Sequence, residues 1–276
     1  MNPVHISATA EDLAGNQGLG RYVLLPGSNG RARQIAGHFD QVTVREHSRG
    51  HDCHLGQLRL EGGGMVDVAV VATGMGCSSM EIILHELYTL GARRFLRVGT
   101  AGSMQPGQVK RGDLVSATAS VRDEKTTMDY APREIPAIAS NGMVWMIREA
   151  AKKLGLDQKL HEGIVHCKAS FYARQFGKGS LAPENQRYKE ILADCGVLAT
   201  EMETAALFIQ TSIYQQACRA ESGHSVRPYV MSGAILGIVS APSEKFMTAE
   251  EQTDTIDAGI LLALETLKLL AVHERR

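Results

Sequence analysis

Three times in its first 102 residues the chain passes from a short apolar run into glycine: Leu24-Leu25-Pro26-Gly27, Ala72-Thr73-Gly74-Met75-Gly76 and Arg97-Val98-Gly99-Thr100-Ala101-Gly102. Binding crevices of α/β sheets lie at such strand ends, where a residue without Cβ lets the backbone turn sharply and approach a ligand. One turn of this sort is equally well a tight corner. Its recurrence at three strand ends favours a shared pocket. The rest of the chain alternates as a layered α/β fold requires. Apolar runs predict strands at Tyr22–Leu25, Leu55–Leu60, Val66–Ala72, Phe95–Val98, Leu114–Val121, Gly163–Ala169 and Tyr229–Leu236. Helical spacing predicts Arg31–His38, Met80–Leu90, Val144–Leu154, Pro183–Asp194, Thr204–Ala217 and Ala249–His273. The last helix carries Ile256, Ile260, Leu264, Leu267 and Leu270, a stripe expected to pack on the sheet. Asp123–Asn141 and Glu221–Arg227 read as irregular segments that could cover a pocket, the second more simply as a surface loop.

The chain has 276 residues, 44% of them apolar, which is enough to bury a core and argues against disorder. That length holds one large α/β domain or two small ones. The formal net charge is −1, with both signs interspersed, so no basic stripe for nucleic acid is present. Any phosphate recognised should be small and met by a few arginines. Five cysteines without a Cys-x-x-Cys pair read as reduced thiols. No charged-then-apolar leader and no membrane-length apolar run is evident, so the expected location is the cytoplasm. His47, His51 and His54 lack the spacing of a metal site, and none is expected. The glycine turns also lack the Gly-x-Gly-x-x-Gly of a dinucleotide-binding dehydrogenase.

Four clusters could carry chemistry. Pro26-Gly27-Ser28-Asn29-Gly30-Arg31 leads into a helix, where backbone N–H groups and the Arg31 fork could seat an anion. An arginine there could equally be solvated. Arg97 interrupts an apolar strand, and a buried guanidinium must meet an anion, either a carboxylate or a ligand. Glu201-Met202-Glu203 precedes an alanine-rich helix; a glutamate there could accept ribose hydroxyls or serve the helix N-terminus. Ala169 to Gln175 offers an aromatic to stack on a base and an amide for its edge, although Phe-Tyr pairs are more often core.

Taken together and in order, these segments resemble the nucleoside phosphorylase family, most closely its uridine phosphorylase branch. His5-Ile6 to Asp12-Leu13, Ala119-Ser120-Val121-Arg122 and Ala131-Pro132 add agreement outside the chemical clusters. The resemblance implies a three-layer α/β/α single domain over residues 1–276, around a central mixed, partly barrel-like sheet. It implies that Gly27, Arg31, Arg97 and Thr100 bind phosphate, with Arg49 reaching in from a neighbouring subunit. Met202 and Glu203 would hold the ribose, with His5 lent by the neighbour, and Phe171 and Gln175 would face the base. The activity implied is phosphorolysis of a nucleoside, uridine or a related pyrimidine nucleoside being favoured. Inorganic phosphate is co-substrate, and no metal or organic cofactor is required. The assembly implied is a homodimer at minimum, and a hexamer of three dimers in the usual bacterial form.

The sequence departs from the pattern at the base. Gly177 stands where pyrimidine-specific relatives have an arginine, and Gly237-Ile238 where they have Asn-Arg; Gly237 also replaces the aspartate of purine-cleaving relatives. The base pocket thus matches neither pattern. Ser28-Asn29 replaces Asp-Pro, and Gly50 replaces a glutamate that holds a monovalent cation in some relatives. Two rivals share the fold: a water-using nucleosidase, against which Arg31, Arg49 and Arg97 argue, and a non-catalytic nucleoside-binding relative.

Overall fold

Five strands close on one another at the centre of this protein, and four more extend one flank of the ring. A computed structural model describes residues 3–222, 229–242 and 244–275. Among them the strands are β1 (Tyr22–Pro26), β2 (Asp40–Arg45), β3 (Cys53–Arg59), β4 (Met65–Val71), β5 (Arg94–Ser103), β6 (Leu114–Asp123), β7 (Ala137–Ile138), β8 (Leu160–Lys168), β9 (Ala199–Glu201) and β10 (Met231–Ser240). The helices are α1 (Ala10–Leu13), α2 (Asn29–Ala36), α3 (Cys77–Thr89), α4 (Asn141–Leu154), α5 (Phe171–Phe176), α6 (Ala182–Asp194), α7 (Thr204–Ser222) and α8 (Thr253–Glu274). The sheet runs β10-β6-β8-β9-β5-β1-β4-β3-β2, and a further β10–β5 pairing closes the first five into a barrel-like ring. Parallel and antiparallel pairs are mixed, with β1–β4 and β1–β5 parallel and β5–β9 antiparallel.

Helices cover both faces, as the sequence predicts. On one side α3 and α7 pack with Leu84, Leu87, Leu207 and Phe208 buried. On the other, α2, α4 and α8 enclose a second apolar cluster with Ile35, Met143, Ile147 and Leu267. The α8 stripe is buried at Ile260, Leu264, Leu267 and Leu270, while Ile256 is only partly covered. Each fully buried side chain of this kind contributes about 1.5–3 kcal/mol. Among the described residues no helix is long and apolar enough to cross a membrane.

Three expectations need correction. Gly99–Gly102 is not a turn: β5 continues to Ser103, because β10 pairs with Gly99 to Gly102 on one side and β9 with Gly102 on the other. Within that strand a Cβ at Gly99 would lie 2.9 Å from Leu236 Cδ2 and one at Gly102 2.8 Å from Ser240 Oγ, so a larger residue would have to displace those side chains. The segment Asp123–Asn141 does not reach the main cavity. The buried Arg122 latches it by donating to the carbonyls of Thr127, Ala131, Pro132 and Ile135 at 2.5–2.7 Å. The first two residues of the expected Glu221–Arg227 loop are helical, since α7 runs on to Ser222; residues 223–227 lie outside the described residues.

Candidate active site

The ends of β1, β5, β8, β9 and β10 and the loop after β4 surround a cavity of about 770 Å³. At one end Gly27, Ser28 and Arg31 come from the β1–α2 corner, where Ser28 caps α2 by accepting from the Arg31 N–H. A Cβ at Gly27 would meet only the Gly74 carbonyl at 3.5 Å, so packing does not demand glycine there. What the glycine provides is bare backbone beside the cavity. Arg31 donates to the Val98 carbonyl at 3.3 Å, and burial together with the neighbouring Arg97 charge pushes its guanidinium below the ordinary value. Two guanidiniums sharing one wall call for an anion between them.

Arg97 is 4% exposed and projects from β5 into this end. Its Nη2 donates to Glu203, and its Nε stands 3.6 Å from Glu201. Neither Nε nor Nη1 has a hydrogen-bond partner among the described residues. Unsatisfied buried donors on a charged group are costly, about 1–3 kcal/mol each or more, and in native proteins they mark a site for something else. Thr100 lies three residues on along β5 and lines the same wall.

The two glutamates divide their work. Glu201 accepts from the Glu203 N–H at 2.8 Å, the Thr204 N–H at 3.0 Å and the Thr204 hydroxyl at 2.6 Å, which fixes the start of α7. Glu203 instead turns into the cavity, its Oε1 accepting from the Gly76 N–H at 2.6 Å and its Oε2 from Arg97. Gly76, at φ +85°, is the N-cap of α3, so the carboxylate also sits at a helix N-terminus. Burial raises the Glu203 carboxyl above its ordinary range, with Arg97 opposing and Glu201 reinforcing the rise. Each Glu203 oxygen has capacity for a further donor. Met202 lies beside it on the cavity wall.

The far end is aromatic. Phe171, Tyr172 and Gln175 enter from α5, a helix the sequence did not predict, capped by the Ser170 hydroxyl. Phe171 packs edge-on against Phe176 at 5.3 Å and Phe246 at 6.1 Å between ring centres. Phe246 closes the rim.

A model of the phosphorylase superfamily matches residues 21–221, about three quarters of the chain. The chain belongs to the phosphorylase superfamily. It is 32% identical to a uridine phosphorylase of Treponema pallidum over 98% of this chain and 95% of that protein. It is 35% identical to a uridine phosphorylase of Thermococcus kodakarensis over 76% of this chain and 72% of that one. A guanosine phosphorylase of Halorubrum lacusprofundi is 29% identical, with 67% and 69% of the two chains covered.

This superfamily cavity brings together Gly27, Arg31, Arg97, Thr100, Met202, Glu203, Phe171 and Gln175. His5 and Arg49 are elsewhere, in a separate recess of about 550 Å³ with His51, Ser78 and Ile82. His5 Nδ1 meets Glu86 at 2.8 Å, and the same carboxylate accepts the backbone N–H groups of Val4, His5 and Ile6. His51 Nδ1 meets the Ala72 carbonyl at 2.8 Å, and His47 Nδ1 accepts from the Arg49 N–H. Among the described residues no group of three or more His, Cys, Asp or Glu could hold a metal ion. Gly177 ends α5 in the left-handed region at φ +60°, and Ile238 is buried in the core. Gly237 faces α8, where a Cβ would lie 2.9 Å from Thr255. Sequence reading missed Lys168, which is 3% exposed and lines the cavity at the end of β8. Its signal was the one that revealed Arg97: a cation following Ile164, Val165 and Cys167 in an apolar strand.

Proposed function

We propose that this chain is a nucleoside phosphorylase of the uridine phosphorylase type, a pentosyltransferase that cleaves the N-glycosidic bond with inorganic phosphate. The observation that carries this reading is Arg97, buried beside Arg31 and next to the carboxylate of Glu203, with two donors that have no hydrogen-bond partner among the described residues. Phosphate would sit among Gly27, Arg31, Arg97 and Thr100, and Glu203 with Met202 would hold the ribose. The C1′–N bond breaks with its electron pair leaving on the base, while a phosphate oxygen supplies the pair for the new C1′–O bond. Positive charge on the sugar then develops directly over the bound phosphate. Preorganised donors that keep this anion placed are worth about 3–4 kcal/mol each at the transition state. A water-using enzyme would have no use for two guanidiniums at that end.

His5 and Arg49 lie outside their own chain's cavity, which supports their service to the adjoining site of a second copy. The proposed assembly is therefore a homodimer at minimum and a hexamer of three dimers in full. Phosphate is the co-substrate, no metal or organic cofactor takes part, and the place of action is the cytoplasm. The test is a panel of uridine, thymidine, inosine, guanosine, adenosine and methylthioadenosine, each with and without phosphate, read by release of free base. Cleavage that requires phosphate supports the reading, and equal cleavage without phosphate rejects it.

A further inference from the structure

The cavity holds a third cation, and neither Arg97 nor Arg31 accounts for it. Lys168 ends β8 with its side chain almost wholly buried, yet it lines the cavity at the aromatic end. Its ammonium lies 5.8 Å from the centre of the Phe171 ring. Among the described residues it makes no ion pair. Its protein partners are the Thr200 hydroxyl at 3.1 Å and the Glu201 carbonyl at 3.5 Å, both uncharged. An ammonium has three donors, so at least one is left for the cavity. Burial pushes the ammonium below its ordinary value, with the nearby Glu201 and Glu203 carboxylates opposing, and a buried charge whose hydrogen-bond partners are uncharged costs several kcal/mol.

The hydrogen bonds behind Lys168 aim it. His166 Nε2 meets Asp123 Oδ2 at 3.0 Å, and His166 Nδ1 meets the Thr200 hydroxyl at 3.1 Å. A carboxylate only accepts, so the imidazole N–H belongs on Nε2, and Nδ1 must accept from Thr200. The Thr200 oxygen is then left as acceptor toward Lys168. The sequence Lys168, Thr200, His166, Asp123 therefore runs in one direction, each group donating to the next, and Arg174 holds the other Asp123 oxygen at 2.8 Å. This chain holds the ammonium beside Phe171 as a donor.

Among the described residues no other cation lines the cavity at this end: Arg174 of α5 is turned to Asp123 and Asn185, and Lys189 donates to the Gln175 carbonyl at 3.3 Å from outside the cavity lining. Gly177 has no side chain, Ile238 is in the core and Gly237 faces α8. Gln175 and Ser240 converge over Gly102, and the buried Ser240 hydroxyl has no partner among the described residues.

We propose that Lys168 is the base-recognition cation of this chain, selecting nucleosides whose base turns an oxo group toward β8, uracil or a 6-oxopurine, over those with an amino group there. The inference rests on the nucleoside reading of the cavity. An oxo group accepts from the ammonium, and its oxygen gathers the electron pair that the breaking C1′–N bond leaves on the base. An amino group would set donor against donor and leave the remaining Lys168 donor without an acceptor, which a polar site penalises heavily.

The test titrates uracil, hypoxanthine and adenine into the wild-type protein and Lys168→Met, with phosphate present, by calorimetry. Lys168→Gln serves if the methionine variant is unstable, and the thermal shift given by phosphate alone reports an intact anion end. The expected result is that an oxo base binds the wild type more tightly than adenine. The variant should lose about 10- to 100-fold of that affinity, the range for a hydrogen bond to a charged group, with the phosphate shift unchanged. The proposal is overturned if adenine binds the wild type as well as the oxo bases do, or no base binds it. It is overturned equally if the variant keeps wild-type affinity, or loses base and phosphate together. Phosphate dependence of wild-type turnover tests the phosphorylase reading separately, because base binding does not require that bond cleavage use phosphate.

Discussion

The two ends of the cavity are built on different principles. The anion end is made of strand termini and a helix start, with Arg97 and Glu203 both at least 95% buried and tied to each other and to the Gly76 backbone. The proposed base end rests on a six-residue helix with no fully buried residue, where Phe171, Tyr172 and Phe246 are 37%, 69% and 39% exposed, with Lys168 buried behind them. Altering Arg97 or Glu203 strands a buried charge, so the cost of change fixes that end. Altering an exposed aromatic disturbs little of the core, so the base end can diverge while the reaction stays the same. The departure at Gly177 falls at this end, on the C-terminus of α5, whereas Ile238 is buried in the core of β10.

Four variants sharpen or break this contrast, in descending order of effect. Arg97→Ala should lower phosphate-dependent kcat/KM by about 100- to 1000-fold, as for loss of a well-aimed donor, and should abolish the thermal shift with phosphate. Retention of near-normal turnover would mean that the anion end is not where phosphate acts. Glu203→Gln should cost about 10- to 100-fold in turnover of ribosides, the range for a hydrogen bond to a charged group. Phosphate should still shift the melting temperature of this variant, because Arg97 remains; loss of that shift would show the two ends of the pair cannot be separated. Phe171→Leu should raise the nucleoside KM by about 5-fold, the worth of an aromatic contact, and leave the phosphate KM unchanged. A fall in kcat with unchanged KM would contradict a stacking role.

The smallest effect is on stability. Burial holds the His166 imidazole below its ordinary value, with Asp123 opposing. A histidine kept neutral by the fold stabilises it above the unfolded value of about 6.5, and this stability drains away as pH falls below that point. The melting temperature should therefore drop between pH 7 and pH 5. His166→Gln should flatten that slope, and an identical slope in the variant would remove His166 as its source.

Much of the fold was legible because its core is written in long apolar runs: α8 through Leu264 and Leu267, β4 and β10 through continuous valine and isoleucine. β2 went unread because all six of its residues are exposed, so it shows no buried face. The extension of β5 through Gly99–Gly102 was hidden because glycine, which usually marks a turn, here sits inside a strand with side chains of Leu236, Ser240 and Gln175 over it. At the site, Arg97 stood out as a charge in an apolar strand. Lys168 carried the same signal but was passed over, since its meaning depends on Thr200 and His166, far away in sequence and brought together by the β8–β9 pairing. The division of labour between Glu201 and Glu203 was likewise unreadable, because it depends on which way each side chain turns at the start of α7.

The central claim is that Arg97, buried, and Arg31, half-buried, hold a phosphate that ends on the sugar. Phosphorus NMR of a reaction containing uridine or inosine, the protein and inorganic phosphate measures this directly. The account predicts a ribose 1-phosphate resonance that grows in step with the free base. Free base accumulating with ribose, and no new phosphorus resonance, would contradict it.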